Sequence, residues 1–297
     1  MANDPRPGHR PALADLHTHT VASDGDLSPS ELVRLAAGRR LAVLALTDHD
    51  TLAGLDEAAR AAEAHPEMTF VPGIEVSAAL AGSSIHILGL GIDPASAELH
   101  DLADRLLAAR NARNPRMLAK LGELGIEISM DELRAIAGVN RPGSAATVVS
   151  RVHIARALVQ KGHASCVEQA FGRYIGKGRP AYVEKDTLAP AEVAGAIRAA
   201  GGLAVLAHAV HMNFDNYAQL ERLLRGLKAD GVGGIEAYHS DHNAEMTRQC
   251  LKLAGKLDLA VTGGSDYHGH AKPDVGLGRP RVPVSVLPKR IGRIELP

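Results

Sequence analysis

Short β-type runs alternating with helical patterns predict an α/β barrel of parallel strands, seven in number, interrupted by one helical insertion. The runs are four to seven residues long and rich in Val, Ile, Leu and Ala, as strands buried on both faces are. Residues 95–201 keep helical periodicity without a buried strand, which sets the insertion apart.

The first run, Ala12–Leu16, leads to a helix whose start is written in Ser28-Pro29-Ser30-Glu31: a capping box with Pro at the first helical position. Ala42–Leu46, Thr69–Ile74 and Ser84–Leu90 follow as strands two to four. The insertion of 107 residues is far too long for a βα loop, so it is read as a cap over one end of the barrel. Near its end Pro190 opens a helix that Gly201-Gly202 closes. Leu203–Ala207, Gly234–Tyr238 and Leu259–Thr262 complete the strands. The expected organisation is barrel over 11–94, cap over 95–201 and barrel again over 202–290, with the tail from Lys272 held loosely.

The 33 basic and 34 acidic residues leave a net charge of −1, so no global positive field exists to hold a nucleic-acid backbone or an anionic membrane. Phosphate binding, if present, has to be local. The longest apolar stretch, Leu41–Leu46, is far short of the roughly 18 residues of a membrane span, and Met1–Pro11 has no apolar signal core. A cytoplasmic protein without a membrane partner is expected; no sequence feature assigns an oligomeric state. Cys166 and Cys250 match no zinc or redox spacing and are read as buried, reduced thiols.

The fifteen histidines are the unusual component. Asp15-Leu16-His17-Thr18-His19 follows strand one, with Asp24 beyond; Thr47-Asp48-His49-Asp50 follows strand two. Strand three ends at Glu75, strand four carries His86, strand five ends at His208, and strand seven leads to Asp266 and His268. In a parallel barrel the strand ends converge on one face, where such barrels place their active sites. His17 and His19, two apart on an extended segment, point to the same side. Imidazole with carboxylate suits divalent manganese, iron, zinc or magnesium, and nine donors are too many for one tetrahedral ion. Two or three clustered divalent ions are expected. Ions about 3.5–4 Å apart can share a hydroxide and clamp an in-line displacement at phosphorus.

These segments, together with Gly73-Ile74-Glu75-Val76-Ser77, His86-Ile87-Leu88-Gly89, Leu206-Ala207-His208 and Gly263-Gly264-Ser265-Asp266-Tyr267-His268-Gly269, resemble the PHP (polymerase and histidinol phosphatase) metal-dependent phosphoesterases in order and spacing. The resemblance implies a distorted (β/α)7 barrel with a trinuclear centre, manganese leading. By position, His17, His19, Glu75 and Asp266 would hold one ion; Glu75 would bridge to a second with Asp24 and His49; His86, His208 and His268 would hold the third. Asp15, Asp48 and Asp50 would then orient ligands or serve as turn acids.

The resemblance extends to the capped nucleotide phosphoesterases through Ser150-Arg151-Val152-His153 and the segment Phe171–Tyr182. It implies Arg151 for phosphate, His153 for binding or for protonating the leaving group, and Lys177, in a Gly-x-Gly loop, for closing over a nucleotide. His239 and His242 are further proton candidates, His242 also a substrate contact. Arg105, Arg110, Arg113, Arg116 and Lys120 share an arc of about 140° on one helix: either a solvated face or a phosphate-collecting stripe.

The expected activity is hydrolysis of nucleotide phosphate monoesters, a 3′,5′-bisphosphate or an AMP-like nucleotide, by a metal-bridged hydroxide. Asp24, Glu75, Asp266 and His153 are the expected catalytic groups. The close alternative is a 5′-to-3′ exonuclease on short RNA or DNA. Three Phe, five Tyr and no Trp offer little stacking platform and favour the small nucleotide. Two other classes are a non-catalytic metal-binding regulatory module and metal-assisted hydrolysis of a C–N bond. The nearly complete ligand set speaks against the module, and the basic residues of the cap against the C–N hydrolase.

Overall fold

The computed structural model describes residues 11–80, 83–139, 148–212 and 214–297; most of the Met1–Pro11 segment lies outside them. Eight strands form one sheet: β1 (Leu13–Asp15), β2 (Val43–Leu46), β3 (Thr69–Leu80), β4 (Ser83–Leu90), β5 (Leu203–Leu206), β6 (Gly234–His239), β7 (Ala260–Gly264) and β8 (Val282–Pro283). Its order is β7-β6-β5-β4-β3-β2-β1-β8. The sheet closes on itself where Leu16 N donates to Gly263 O (3.1 Å) and Asp266 N to His17 O (2.8 Å), stitching β1 to β7. All seven expected strands are present.

Two departures from the expected barrel concern direction and number. β4 runs antiparallel to both β3 and β5, so it is the start of this strand, not its end, that reaches the site face. β8 adds a short antiparallel edge to β1. The tail expected to be loose is instead built in: Val282, Val284, Leu287 and Ile291 are buried with the barrel interior. Cys250 is buried as expected, but Cys166 is exposed.

Strand alternation separates two cores. In β2, Val43 and Ala45 join the interior cluster, while Leu44 and Leu46 face the surrounding helices. The same period of two governs function: Ile74 and Val76 of β3 pack outward, so Glu75 between them points inward. In β4, Ile85 and Ile87 pack outward and His86 inward by the same rule.

The helices are α1 (Pro29–Gly38), α2 (Leu55–Ala62), α3 (Ala97–Glu123), α4 (Met130–Ala137), α5 (Arg151–Gln160), α6 (Val167–Ala170), α7 (Pro190–Ala199), α8 (Tyr217–Ala229) and α9 (Ala244–Leu257). The α1 capping box is formed as read: Glu31 N donates to Ser28 Oγ and Ser28 N to the Glu31 carboxylate. The stretch 95–201 divides in its packing. Met117 to Val183 supply a separate apolar core, whereas Leu99, Leu102 and Leu106 of α3, and Val193, Ala194 and Ile197 of α7, join the barrel core. Among the described residues no helix is long and apolar enough to cross a membrane.

Candidate metal centre

The ends of β1, β2, β5 and β7, the middle of β3 and the start of β4 deliver the nine predicted ligands to one buried cluster. His17 and His19 both aim Nε2 at Glu75 Oε2, at 3.2 and 3.1 Å. Asp266 Oδ1 lies 3.5 and 3.2 Å from the same two nitrogens. Close approach of β7 to β1 makes this possible: a Cβ on Gly264 would lie 2.4 Å from the His17 Cβ, so only glycine fits there.

Glu75 Oε1 meets His86 Nδ1 at 2.8 Å and His208 Nε2 at 3.0 Å, and His49 Nδ1 lies 3.0 Å from Oε2. Asp24, His49, His19 and His268 form a further group close enough to share one cation. The grouping differs from the one implied by resemblance at His268. Its Nε2 is 3.2 Å from Asp24 Oδ1 and its ring stacks on His19 at 4.1 Å, while His86 and His208 stand together at Glu75 Oε1.

The donor set fits divalent cations. His17 Nε2, both ring nitrogens of His19, His49 Nδ1 and Glu75 Oε2 are buried without a hydrogen-bond partner among the described residues. An unmet buried polar atom costs about 1–3 kcal/mol. Cations held by the lone pairs of His17 Nε2, His19 Nε2, His49 Nδ1 and Glu75 Oε2 would remove that cost at these four together, with the proton of the His19 ring on Nδ1.

Residues 15–272 match the PHP domain. The chain belongs to the PHP domain family. It is 36% identical over 254 residues to a 5′-3′ exoribonuclease of Haemophilus influenzae, covering 86% of this chain and 89% of that one. It is also 36% identical over 267 residues to a 3′,5′-nucleoside bisphosphate phosphatase of Chromobacterium violaceum, covering 89% and 91%. A solved structure from Bifidobacterium adolescentis, assigned as a metal-dependent phosphoesterase, superposes with a TM-score of 0.82 at 32% identity, covering 93% and 95%. The chain is a metal-dependent phosphoesterase of this family.

Around the PHP centre, three acids organise the ligand-bearing loops. Asp15 accepts from Ser265 N (2.8 Å), Ser265 Oγ (2.6 Å) and Gly278 N (2.7 Å). Asp48 accepts from Thr20 N and Oγ1 and from Ser23 Oγ. Asp50 ties the cap to the barrel, accepting from Arg110 Nε (2.8 Å), Lys185 Nζ (3.1 Å) and Ser77 N (2.9 Å). Arg156 adds a second tie, to Asp26 and to the Asp24 carbonyl, both at 2.9 Å.

Between cap and PHP centre lies a cavity of about 480 Å³ reached by Arg110, Arg113, Arg151, Lys177 and Lys185. Helix α3 continues through Pro115, and its basic arc splits: Arg110 and Arg113 turn into this cavity, whereas Arg105 pairs with Glu192 on the surface and Lys120 donates to Tyr182 O. The Arg151 guanidinium sits 5.5 Å from the Phe171 ring centroid and 5.9 Å from that of Tyr182. Phe171 begins a π-helical turn, Phe171–Ile175, closed by Gly176 N to Phe171 O at 2.8 Å.

Neither Arg113 nor Arg151 has a carboxylate partner among the described residues. Burial, with the neighbouring cations Arg110 and Arg151, lowers the Arg113 pKa to about 9. Burial lowers that of Arg151 as well.

Two predicted contacts are otherwise engaged. His153 closes the capping box of α5, accepting from Ser150 N at 2.9 Å through Nδ1, and burial lowers its pKa to about 4. A neutral ring results, with its proton on Nε2. Both nitrogens of His242 are taken by backbone: Nδ1 donates to Ala237 O (3.0 Å), and Nε2 accepts from Val210 N (3.4 Å).

Sequence reading missed Lys185, Lys272 and Glu236, and it took His239 only as a proton candidate. Lys272 reaches Asp266 Oδ2. Only Glu236 carried a signal, an acid inside an apolar strand.

Proposed function

We propose that the protein removes a phosphate from nucleotides bearing a second phosphate, with nucleoside 3′,5′-bisphosphates as the substrate class. The observation that carries this is the pair of guanidinium groups, buried Arg113 and half-buried Arg151, that line the cavity beside the metal centre without a carboxylate partner among the described residues. A buried cation without a partner is expensive, and an anionic ligand removes the cost. A cavity of about 480 Å³ suits a nucleotide.

Three ions are assigned: one to His17, His19, Glu75 and Asp266; one to Asp24, His49 and His268, with His19 adjacent; one to Glu75, His86 and His208. Manganese leads; Fe2+, Zn2+ and Mg2+ suit the same donors. When bound, such ions supply Lewis acidity and an activated water. Arg151 donates to the non-bridging oxygens of the scissile phosphate, its planar fork held between two rings. Arg110, Arg113 and Lys185 receive the second phosphate, and Lys177 stands at the cavity mouth. His153 offers an Nε2 hydrogen bond, not a positive charge.

A second reading, stepwise 5′-to-3′ cleavage of short oligonucleotides, is favoured by a second cavity of about 260 Å³. It continues past the centre toward His211, Met212 and Lys272, giving a chain a path outward.

The test is phosphate release from a nucleoside 3′,5′-bisphosphate, a 5′-monophosphate and a short 5′-phosphorylated RNA, with Mn2+ and with chelator. Rapid, chelator-sensitive release from the bisphosphate alone is expected. Progressive RNA shortening would establish the second reading, and no turnover on any of the three would overturn both.

A pH dependence follows. Burial and the adjacent Arg110 lower the Lys185 pKa to about 8, against the pull of Asp50. Its cationic form, the one that holds phosphate, is lost as pH rises through that value. KM for the bisphosphate is expected to climb above about pH 8 while kcat holds. In Lys185→Gln the climb should vanish; an unchanged profile would remove Lys185 from the phosphate site.

A further inference from the structure

Beneath the ligands lies a layer of polar groups that lines neither of the two cavities described above. Glu236 is fully buried inside the barrel. Its carboxylate approaches His17 Nδ1 at 3.2 Å (Oε1) and 3.3 Å (Oε2) and accepts from His208 N at 2.8 Å. One side chain on β6 therefore grips a ligand on the β1 end and a ligand on the β5 end. The grip on His208 has a backbone reason: His208 has φ +24°, in the region L residues rarely adopt. Such a conformation costs on the order of 1–3 kcal/mol and persists only where its surroundings over-determine it.

His239 completes the layer. Two residues three apart on a regular strand face opposite sides, yet Glu236 and His239 both point inward. The cause is the register irregularity between Glu236 and Tyr238 against β7, which inserts the extra residue that turns His239 back. Asp241 N donates to His239 Nδ1 at 3.1 Å, which puts the proton of the neutral ring on Nε2. That nitrogen is buried without a hydrogen-bond partner among the described residues, 3.7 Å from Asp266 Oδ2 and 4.0 Å from Glu236 Oε2.

We infer that Glu236 is a positioning residue that locks His17 and His208 into metal-ready orientations, with His239 turned by the β6 bulge to the same face beside it. His17 Nδ1–H donates to Glu236, which leaves the Nε2 lone pair directed at Glu75 and Asp266. The Glu236 bond to the His208 amide holds that residue in its positive-φ turn, which aims its Nε2 at the other oxygen of Glu75. Thus one carboxylate below sets the geometry on both sides of the carboxylate above. Outer partners of this kind are worth roughly 10–100-fold in metal affinity.

The inference rests on the metal reading of the centre, and a titration separates the two. Metal-stripped wild-type, Glu236→Gln and Glu236→Asp proteins are titrated with Mn2+ by calorimetry; kcat and KM are then measured at saturating Mn2+. Glu236→Gln keeps the volume and loses the charge. Glu236→Asp keeps the charge but is one methylene too short to reach both partners. Both are expected to bind Mn2+ about 10–100-fold more weakly, with KM unchanged and kcat partly restored by excess Mn2+. Wild-type affinity in either folded variant overturns the inference; should Glu236→Gln fail to fold, Glu236→Asp decides alone. Wild-type protein that takes up no Mn2+ would overturn the metal reading itself and this inference with it.

Discussion

Asp266→Asn is expected to abolish phosphoesterase turnover while leaving the fold intact. Asp266 Oδ1 faces His17 and His19 Nε2, and Oδ2 is held by Lys272. An amide in this place keeps the shape but removes the negative charge that a cation between two imidazoles needs. The backbone should accept the change: Asp266 sits at φ +57°, and Asn is among the few non-glycine residues at ease there. The loss should exceed the roughly 10–100-fold typical of removing an outer-shell partner, because this residue would hold the ion directly. Turnover with Mn2+, bound-metal content and far-UV circular dichroism check it together. A fully active variant would break the metal assignment; an unfolded one would show that the carboxylate serves the fold.

Arg151→Ala is expected to lower kcat/KM for a phosphate monoester by about 10²–10³-fold, the scale of removing one preorganised donor to developing negative charge. Its position favours a clean result. Arg151 is the first residue of α5, where Ala is well tolerated, and Ser150 and His153, which form the cap, are untouched. The rings of Phe171 and Tyr182 lose a cation–π partner, worth about 0.5–2 kcal/mol, so a modest fall in melting temperature should accompany the kinetic loss. Arg151→Lys restores charge but not the planar fork and should recover only part of the rate. Unchanged turnover in the Ala variant would remove Arg151 from the phosphate site.

Much of the centre was legible because its signals are local. Apolar period and capping chemistry placed the strands and α1, and ligand-type residues recurred where strands ended. The reversal of β4 was also within reach. Only nine residues separate Ile74 from Ser84 in the expected strands, and a parallel crossover needs a dozen or more. Reading Thr69–Ile74 as the whole of strand three hid this, since Glu75 interrupts an apolar run that β3 in fact continues to Leu80.

What the sequence determined by itself is the set of groups: nine candidate metal donors, their strands, and Arg151 in the insertion. Only the tertiary structure decided how they are shared. His268 falls to Asp24 because chain closure brings β7 beside β1, and His86 joins His208 because β4 enters from the opposite direction. Arg110 and Arg113 separate from the rest of their arc because the cap docks through Asp50, which lies 60 residues from Arg110 and 135 from Lys185 in the chain. Strand period and helix caps depend on neighbours within a few residues, so they can be read along the chain. The partners of a buried charge are set by which strands pair and in which direction, and those contacts exist only once the barrel has closed.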